Sequence, residues 1–143
     1  MTIHAASDAP LLSRVGRGLA PAGAVISLTA VGEIAEQQLL ALEKRYPNVV
    51  IDKYVIMPTH IHAIIRLTER MAGAALCPTL MDVVGAYKSL TTRACNQFFH
   101  TPGQKLFQAS FYETVLRNEK AYQECWRYID ANPANWLQNP EDI

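Results

Sequence analysis

The sequence predicts one α+β domain over residues 1–143, and three observations lead there. Residues 49–57 and 60–67 are apolar, β-branched runs separated only by Pro58-Thr59, the pattern of an antiparallel hairpin. Residues 30–46 and 80–99 instead carry apolar side chains at helical spacing. A third helical pattern begins after Asn118. Half of the residues are hydrophobic and 18% are charged, so a chain of this length can bury a core and is not expected to be disordered.

In chain order, residues 1–23 are rich in Ala, Gly, Pro and Ser and read as an irregular arm, which leaves 24–136 as the core. Val25-Ile26-Ser27-Leu28 is a short strand. Thr29 places a side-chain oxygen where it can cap a helix running to about Tyr46, and Pro47-Asn48 stops that helix. Val31, Ile34, Leu39 and Leu42 give it an apolar side. The hairpin follows, then a loop over 68–78. The second helix, 80–99, buries Val83, Val84, Tyr87, Leu90 and Ala94, and Thr101-Pro102-Gly103 breaks it. Residues 107–116 are short and β-like. Asn118 caps the third helix, where Tyr122, Cys125, Trp126 and Ile129 follow helical spacing as a core stripe. Pro133 is expected to stop it, because proline has no N–H to continue the ladder.

Composition narrows the function classes. Formal net charge is zero, which argues against a general nucleic-acid binder that works by overall basicity. Cys77, Cys95 and Cys125 are odd in number and widely spaced, with no CxxC pair and no disulfide framework. A reducing, cytoplasmic setting is therefore expected. No apolar run reaches membrane-spanning length, no signal-peptide pattern opens the chain, and no internal repeat is present.

The chemistry concentrates in two places. Side chains on a strand point alternately to opposite faces, so His60 and His62 share a face and Ile61 points to the other. Neighbouring imidazoles on a rigid strand are a ready pair of metal ligands. An isolated His-x-His is more often a pair of half-exposed polar residues on an open sheet face. Tyr128 and Asn132 lie four residues apart and stack on one flank of the third helix. A lone helical tyrosine is ordinarily a boundary aromatic with a buried ring and a wet hydroxyl. A tyrosine aligned with an amide beside a His-x-His strand is a much rarer combination, and tyrosine can be a nucleophile toward phosphorus. The Asn132 amide oxygen can complete a metal site begun by the histidines, and a metal there would polarise a phosphodiester.

These residues resemble the HUH single-strand DNA transposases, with His60-Ile61-His62 similar to their His-hydrophobic-His motif. The nearer group is the single-tyrosine, insertion-sequence-200-like transposases, and within it the REP-associated tyrosine transposases. Tyr54-Val55-Ile56-Met57-Pro58, Tyr87-Lys88-Ser89 through Arg93, Leu116-Arg117-Asn118-Glu119 and Trp126-Arg127-Tyr128-Ile129-Asp130-Ala131-Asn132-Pro133 extend the resemblance over roughly residues 28–136. It implies a ferredoxin-like antiparallel sheet with helices packed on one face and the tyrosine on a C-terminal helix. It implies a DNA transposase or single-strand endonuclease: Tyr128 attacks a scissile phosphate, forms a 5′-phosphotyrosine and frees a 3′-hydroxyl, while His60, His62 and Asn132 hold a divalent metal. Mg²⁺ or Mn²⁺ suits a phosphate-oxygen site, and two imidazoles suit Zn²⁺ or Ni²⁺ as well. Single-stranded DNA containing a hairpin is the implied partner. Lys88, Arg93, Arg117 and Arg127 are candidate DNA contacts, each equally well explained alone as a solvated surface charge.

Two departures accompany the resemblance. Relatives usually begin with a strand of the type aromatic-Val-Thr-Ile-Cys followed by basic residues, and no such strand is legible here. A missing strand would leave an open sheet edge, from which a homodimer is expected. Phe111-Tyr112-Glu113-Thr114 also stands where relatives often carry His-Asp-His. Two other functions stay open: a non-catalytic hairpin-binding relative, and a small zinc hydrolase using His60 and His62 with a water nucleophile.

Overall fold

The computed structural model describes residues 1–7, 9–17, 24–68 and 78–138. Most of the loop expected over 68–78, and the end of the polar tail, lie outside the described residues. The elements are β1 (Thr2–His4), β2 (Ser13–Arg17), β3 (Ala24–Leu28), α1 (Ala30–Arg45), β4 (Val49–Ile56), β5 (His60–Leu67), α2 (Leu80–Phe99) and α3 (Glu119–Gln138).

Strands β1, β5 and β4 form an antiparallel sheet in that order, and β2 and β3 form a separate two-stranded ribbon. The described part of the 1–23 segment, residues 1–7 and 9–17, is therefore not an irregular arm, and 18–23 lie outside the described residues. Thr2 pairs with His62 and His4 with His60, while Ile3 between them is fully buried. Leu12 and Ser13 are also fully buried. An Ala/Gly/Pro/Ser-rich composition reads as loop locally, but ladder hydrogen bonds and the burial of Ile3 and Leu12 override local propensity here. β1 also covers the β5 edge, so that edge gives no reason for a homodimer. The expected antiparallel α+β architecture is present, but the continuous sheet has three strands and does not establish a ferredoxin-like topology. The expected β structure over 107–116 is reduced to isolated bridges, Thr2 to Tyr112 and Ala5 to Phe107.

The helices do not share one face. Ile61 and Ile65 pack with Leu39 and Leu42 of α1 and with Val83, Val84 and Tyr87 of α2. The Tyr87 hydroxyl donates to Ala35 O at 2.9 Å and ties α2 to α1. On the opposite face, Val55 and Ile64 pack against Ile129 of α3. Strand alternation explains the split, since residues 61 and 65 point one way and 60, 62 and 64 the other.

Helix ends follow their sequence signals except at Pro133. Thr29 caps α1 and Thr79 closes a capping box with Asp82 on α2. Asn118 Oδ1 accepts from Ala121 N at 2.8 Å at the start of α3. Pro133 lies inside α3, which continues to Gln138. Proline removes one helical donor, and the helix continues as Trp136 packs against the second core cluster. The expected stripe on α3 is largely open: Ile129 is buried, Tyr122 and Cys125 are half-buried, and Trp126 is 38% exposed. On α2 the buried side is Val83, Val84, Tyr87, Thr91 and Cys95, with Leu90 and Ala94 only partly covered.

The start of α1 sits on the N-terminal segment. Thr29 Oγ1 accepts from Gly32 N and donates to Leu11 O at 2.7 Å, while Thr29 N donates to Leu12 O at 3.1 Å. A Cβ on Gly32 would stand 1.9 Å from Leu12 O. Gly32→Ala gains helix propensity of about 1 kcal/mol but forces backbone apart at a cost of about 1–3 kcal/mol. The clash should win, lowering the thermal midpoint by several degrees. Gly85→Ala on α2 meets nothing within 4 Å and should raise the midpoint. Thermal melts of the two variants check this. Equal stabilisation by both would contradict the close approach of α1 to residues 11–12.

Candidate metal and tyrosine site

The site lies where β5 faces α3. His60 is fully buried and His62 is 9% exposed, and their ring centroids are 4.5 Å apart on one sheet face. The half-exposed alternative for the pair is thus excluded. Each Nδ1 meets a threonine hydroxyl: His62 Nδ1 lies 2.8 Å from Thr2 Oγ1, and His60 Nδ1 lies 3.1 Å from Thr59 Oγ1. An Nδ1–H donating to either hydroxyl leaves the Nε2 lone pair free.

Asn132 enters from α3, where it is fully buried one turn beyond Tyr128. Its Nδ2 donates to Tyr128 O at 3.1 Å. That bond fixes the amide orientation and leaves Oδ1 as a free acceptor. His60 Nε2, His62 Nε2 and Asn132 Oδ1 are all buried without a hydrogen-bond partner. Buried polar atoms normally find partners, so three orphans on facing elements call for a ligand. Two imidazole nitrogens and one amide oxygen suit a divalent transition metal such as Mn²⁺, with further positions left for water or phosphate oxygen. Among the described residues no group of three His, Cys, Asp or Glu side chains converges on a metal position, so the amide is the candidate for a third donor beside the two imidazoles.

Burial also sets the protonation state. It pushes the His60 pKa down to about 4, with neighbouring His4 adding to the effect. Burial, followed by the nearby His60, pushes His62 down to about 3. The Asn132 side chain pulls His60 the other way, although its oxygen makes no hydrogen bond of standard geometry. Both imidazoles are therefore neutral near pH 7, the form that binds metal.

Tyr128 is 50% exposed, and its ring stands 5.5 Å from that of His62. The two rings meet in a T-shaped arrangement while the side chain stays accessible, a position that suits both a boundary aromatic and a nucleophile. Trp136 closes another side, 6.2 Å from His60 between ring centroids.

Several site residues escaped notice in the sequence. Thr2 and His4 arrive through β1, which pairs them directly opposite His62 and His60. His4 stacks 5.4 Å from His60 and meets Tyr112 edge-on at 5.7 Å. A weak signal existed: Thr2-Ile3-His4 has the same alternation as His60-Ile61-His62. Of the basic residues, Arg127 is exposed on α3 next to Tyr128, and Arg117 is exposed just before that helix. Lys88 and Arg93 line a separate cleft beside α2. The four are not brought together around the histidines.

No protein-family model matches the chain. It is 28% identical over 132 residues to an uncharacterized protein of Haemophilus influenzae, an alignment covering 80% of this chain and 71% of that protein. Its fold is similar to that of a REP-associated tyrosine transposase bound to a REP hairpin, with a TM-score of 0.67 and 21% identity. That match covers 94% of this chain, which spans 64% of the transposase chain. The likeness is one of fold. Among the described residues, no helix is long and apolar enough to cross a membrane.

The histidine environment predicts a pH dependence. An unfolded histidine titrates near about pH 6.5. The folded values near 4 and 3 lie below it, so the unfolded chain binds more protons across that window. Stability of chelator-treated protein should be full above about pH 6.5 and fall as pH drops toward about 3. Imidazole ¹⁵N shifts followed through an acid titration check the cause directly. Midpoints below pH 5 are expected for both rings, and midpoints near 6.5 would contradict the buried, neutral pair.

Proposed function

We propose that this chain is a metal-assisted single-strand DNA endonuclease and strand transferase of the tyrosine-transposase type, with Tyr128 as nucleophile. The observation that carries this is the meeting of an accessible tyrosine with three orphaned donor atoms on the opposing strand and on its own helix. The fold likeness to a transposase bound to a DNA hairpin supports the choice of substrate.

The Tyr128 oxygen attacks the scissile phosphorus as the P–O3′ bond breaks. A phosphotyrosine forms on the 5′ side, the phenol proton passes to water or a base, and the departing 3′-oxygen gains a proton as it becomes a hydroxyl. Attack of a 3′-hydroxyl on the phosphotyrosine reverses the bonding and rejoins DNA with no external energy source. His60, His62 and Asn132 would hold a divalent cation, which neutralises charge on a phosphate oxygen when bound. Thr2 and Thr59 orient the two imidazoles through Nδ1, and Asn132 is oriented by Tyr128 O. Arg127, adjacent to Tyr128, and Arg117 supply positive charge for the backbone. Tyr128 stands beside His62 of its own chain, which supports a site assembled within one subunit.

A labelled DNA hairpin with single-stranded flanks, incubated with Mn²⁺ and resolved under denaturing conditions, tests this. The wild-type chain should form a covalent adduct as a monomer. Tyr128→Phe should reduce it by more than about a thousandfold, as loss of a nucleophile does. His62→Ala should also abolish it while hairpin binding persists. Binding with no adduct in the wild type would instead make the protein a hairpin binder. Metal-dependent cleavage that survives Tyr128→Phe would make it a hydrolase.

A further inference from the structure

We propose that two adjoining cavities between α2 and residues 101–109 form a nucleotide subsite, which seats one unpaired nucleotide of the DNA strand away from the cleavage position. This rests on the DNA-cleaving function proposed above and adds where a flank of that strand is held.

The larger cavity, about 780 Å³, is lined by Lys88, Arg93 and Lys105 and by no carboxylate. In a chain of zero formal net charge, that is a local excess of positive charge. Among the described residues the ion pairs are Lys53 with Asp130 and Arg66 with Asp52, so none of the three cations of the cavity is neutralised. Lys88 is held in place by carbonyls, donating to Gln108 O at 2.5 Å and approaching Ser110 O at 3.4 Å. Burial lowers its pKa, and Lys105 lowers it further. An anion between these two ammonium groups would relieve that repulsion, and a phosphodiester has the matching charge.

The second cavity, about 370 Å³, shares Asn96, Lys105 and Leu106 with the first and adds the apolar side chains Leu11, Val31 and Phe99. Phe99 is 44% exposed. Both volumes fall in the usual range for small-ligand sites, about 300–1,000 Å³. A cationic rim beside an accessible aromatic and apolar wall is what single-stranded nucleic acid uses, with phosphate on the charges and base on the ring.

The cavities connect physically to the tyrosine site. Gln108, whose carbonyl takes the Lys88 ammonium, donates its N–H to His4 O at 2.9 Å, and His4 stacks on His60. One strand and one connecting segment thus separate the subsite from the histidines. A DNA strand leaving the Tyr128 site over β1 and residues 107–112 would pass onto the cationic rim.

The test uses Tyr128→Phe protein, which binds without cleaving, and fluorescence anisotropy with a labelled DNA hairpin bearing thymidine tails. Lys105→Glu should weaken binding about tenfold and flatten the log–log salt dependence by about 0.7. Lys105→Gln should give a smaller loss, and circular dichroism melts verify that both variants fold. Abasic residues placed one at a time along the tails should reveal one position where losing the base costs several-fold. Phe99→Ala should show no further loss at that position. Unchanged affinity and salt slope in Lys105→Glu, or no abasic position coupled to Phe99, would overturn the subsite. The outcome is independent of catalysis, because coupled binding without any covalent adduct from the wild type would uphold the subsite and reject only the nuclease.

Discussion

The register of β5 between β1 and β4 is the constraint on which the rest of the molecule depends. Because side chains alternate along a strand, one register sends Ile61 and Ile65 into the α1/α2 core and His60, His62 and Ile64 toward α3. A slip by one residue would exchange the two sets, burying imidazoles in an apolar core and stripping Ile61 from it. Full burial of an isoleucine contributes about 1.5–3 kcal/mol, and both Ile61 and its cross-strand partner Ile3 are fully buried. Two such residues side by side hold the register by several times thermal energy. The tight connection helps, with Met57 N donating to His60 O at 2.8 Å.

That register brings a polar cluster into a place where water does not reach it. Leaving a buried acceptor without a partner costs about 1–3 kcal/mol. His60 Nε2, His62 Nε2 and Asn132 Oδ1 all carry this penalty in the ligand-free chain. The surrounding contacts keep them from relaxing. Threonine hydroxyls occupy both Nδ1 atoms, and the Tyr128 carbonyl holds the Asn132 amide nitrogen. A cation that bound the folded form there would recover the stability given up at these atoms. Because Tyr128 precedes Asn132 by one helical turn, the group that would complete the metal site also sets the position of the group that would attack.

Much of this was legible in the chain, and what was missed has physical reasons. The β4–β5 hairpin, the span of α2 and the caps at Thr29 and Asn118 depend on local pattern, and they stand where the pattern puts them. The shared face of His60 and His62 follows from alternation alone. β1 was illegible because three residues are too short for a pattern and it exists through pairing with the distant β5, while β2 holds Ser13, Arg14, Gly16 and Arg17, which have little strand propensity. Pro133 does not stop α3, against its usual sequence signal. A missing donor is only one term, and packing of Trp136 on the far side of it keeps α3 going. The side of the sheet that α3 occupies could not be read from its own stripe, since Tyr122, Cys125 and Trp126 are only partly covered. The contributions of Thr2 and His4 depend on the β1 register, which no short-range pattern announces.

The central claim is that His60, His62 and Asn132 hold one divalent cation directly beside Tyr128. Paramagnetic broadening by Mn²⁺ in NMR spectra of the intact chain tests it most directly. At substoichiometric Mn²⁺ the side-chain resonances of His60, His62, Asn132 and Tyr128 should disappear first, while those of α1 and of the exposed end of α2 persist. Asn132→Ala should weaken the effect at the histidines without moving it elsewhere. Broadening centred on a different part of the molecule, or none at the histidines while the chain stays folded, would contradict the account.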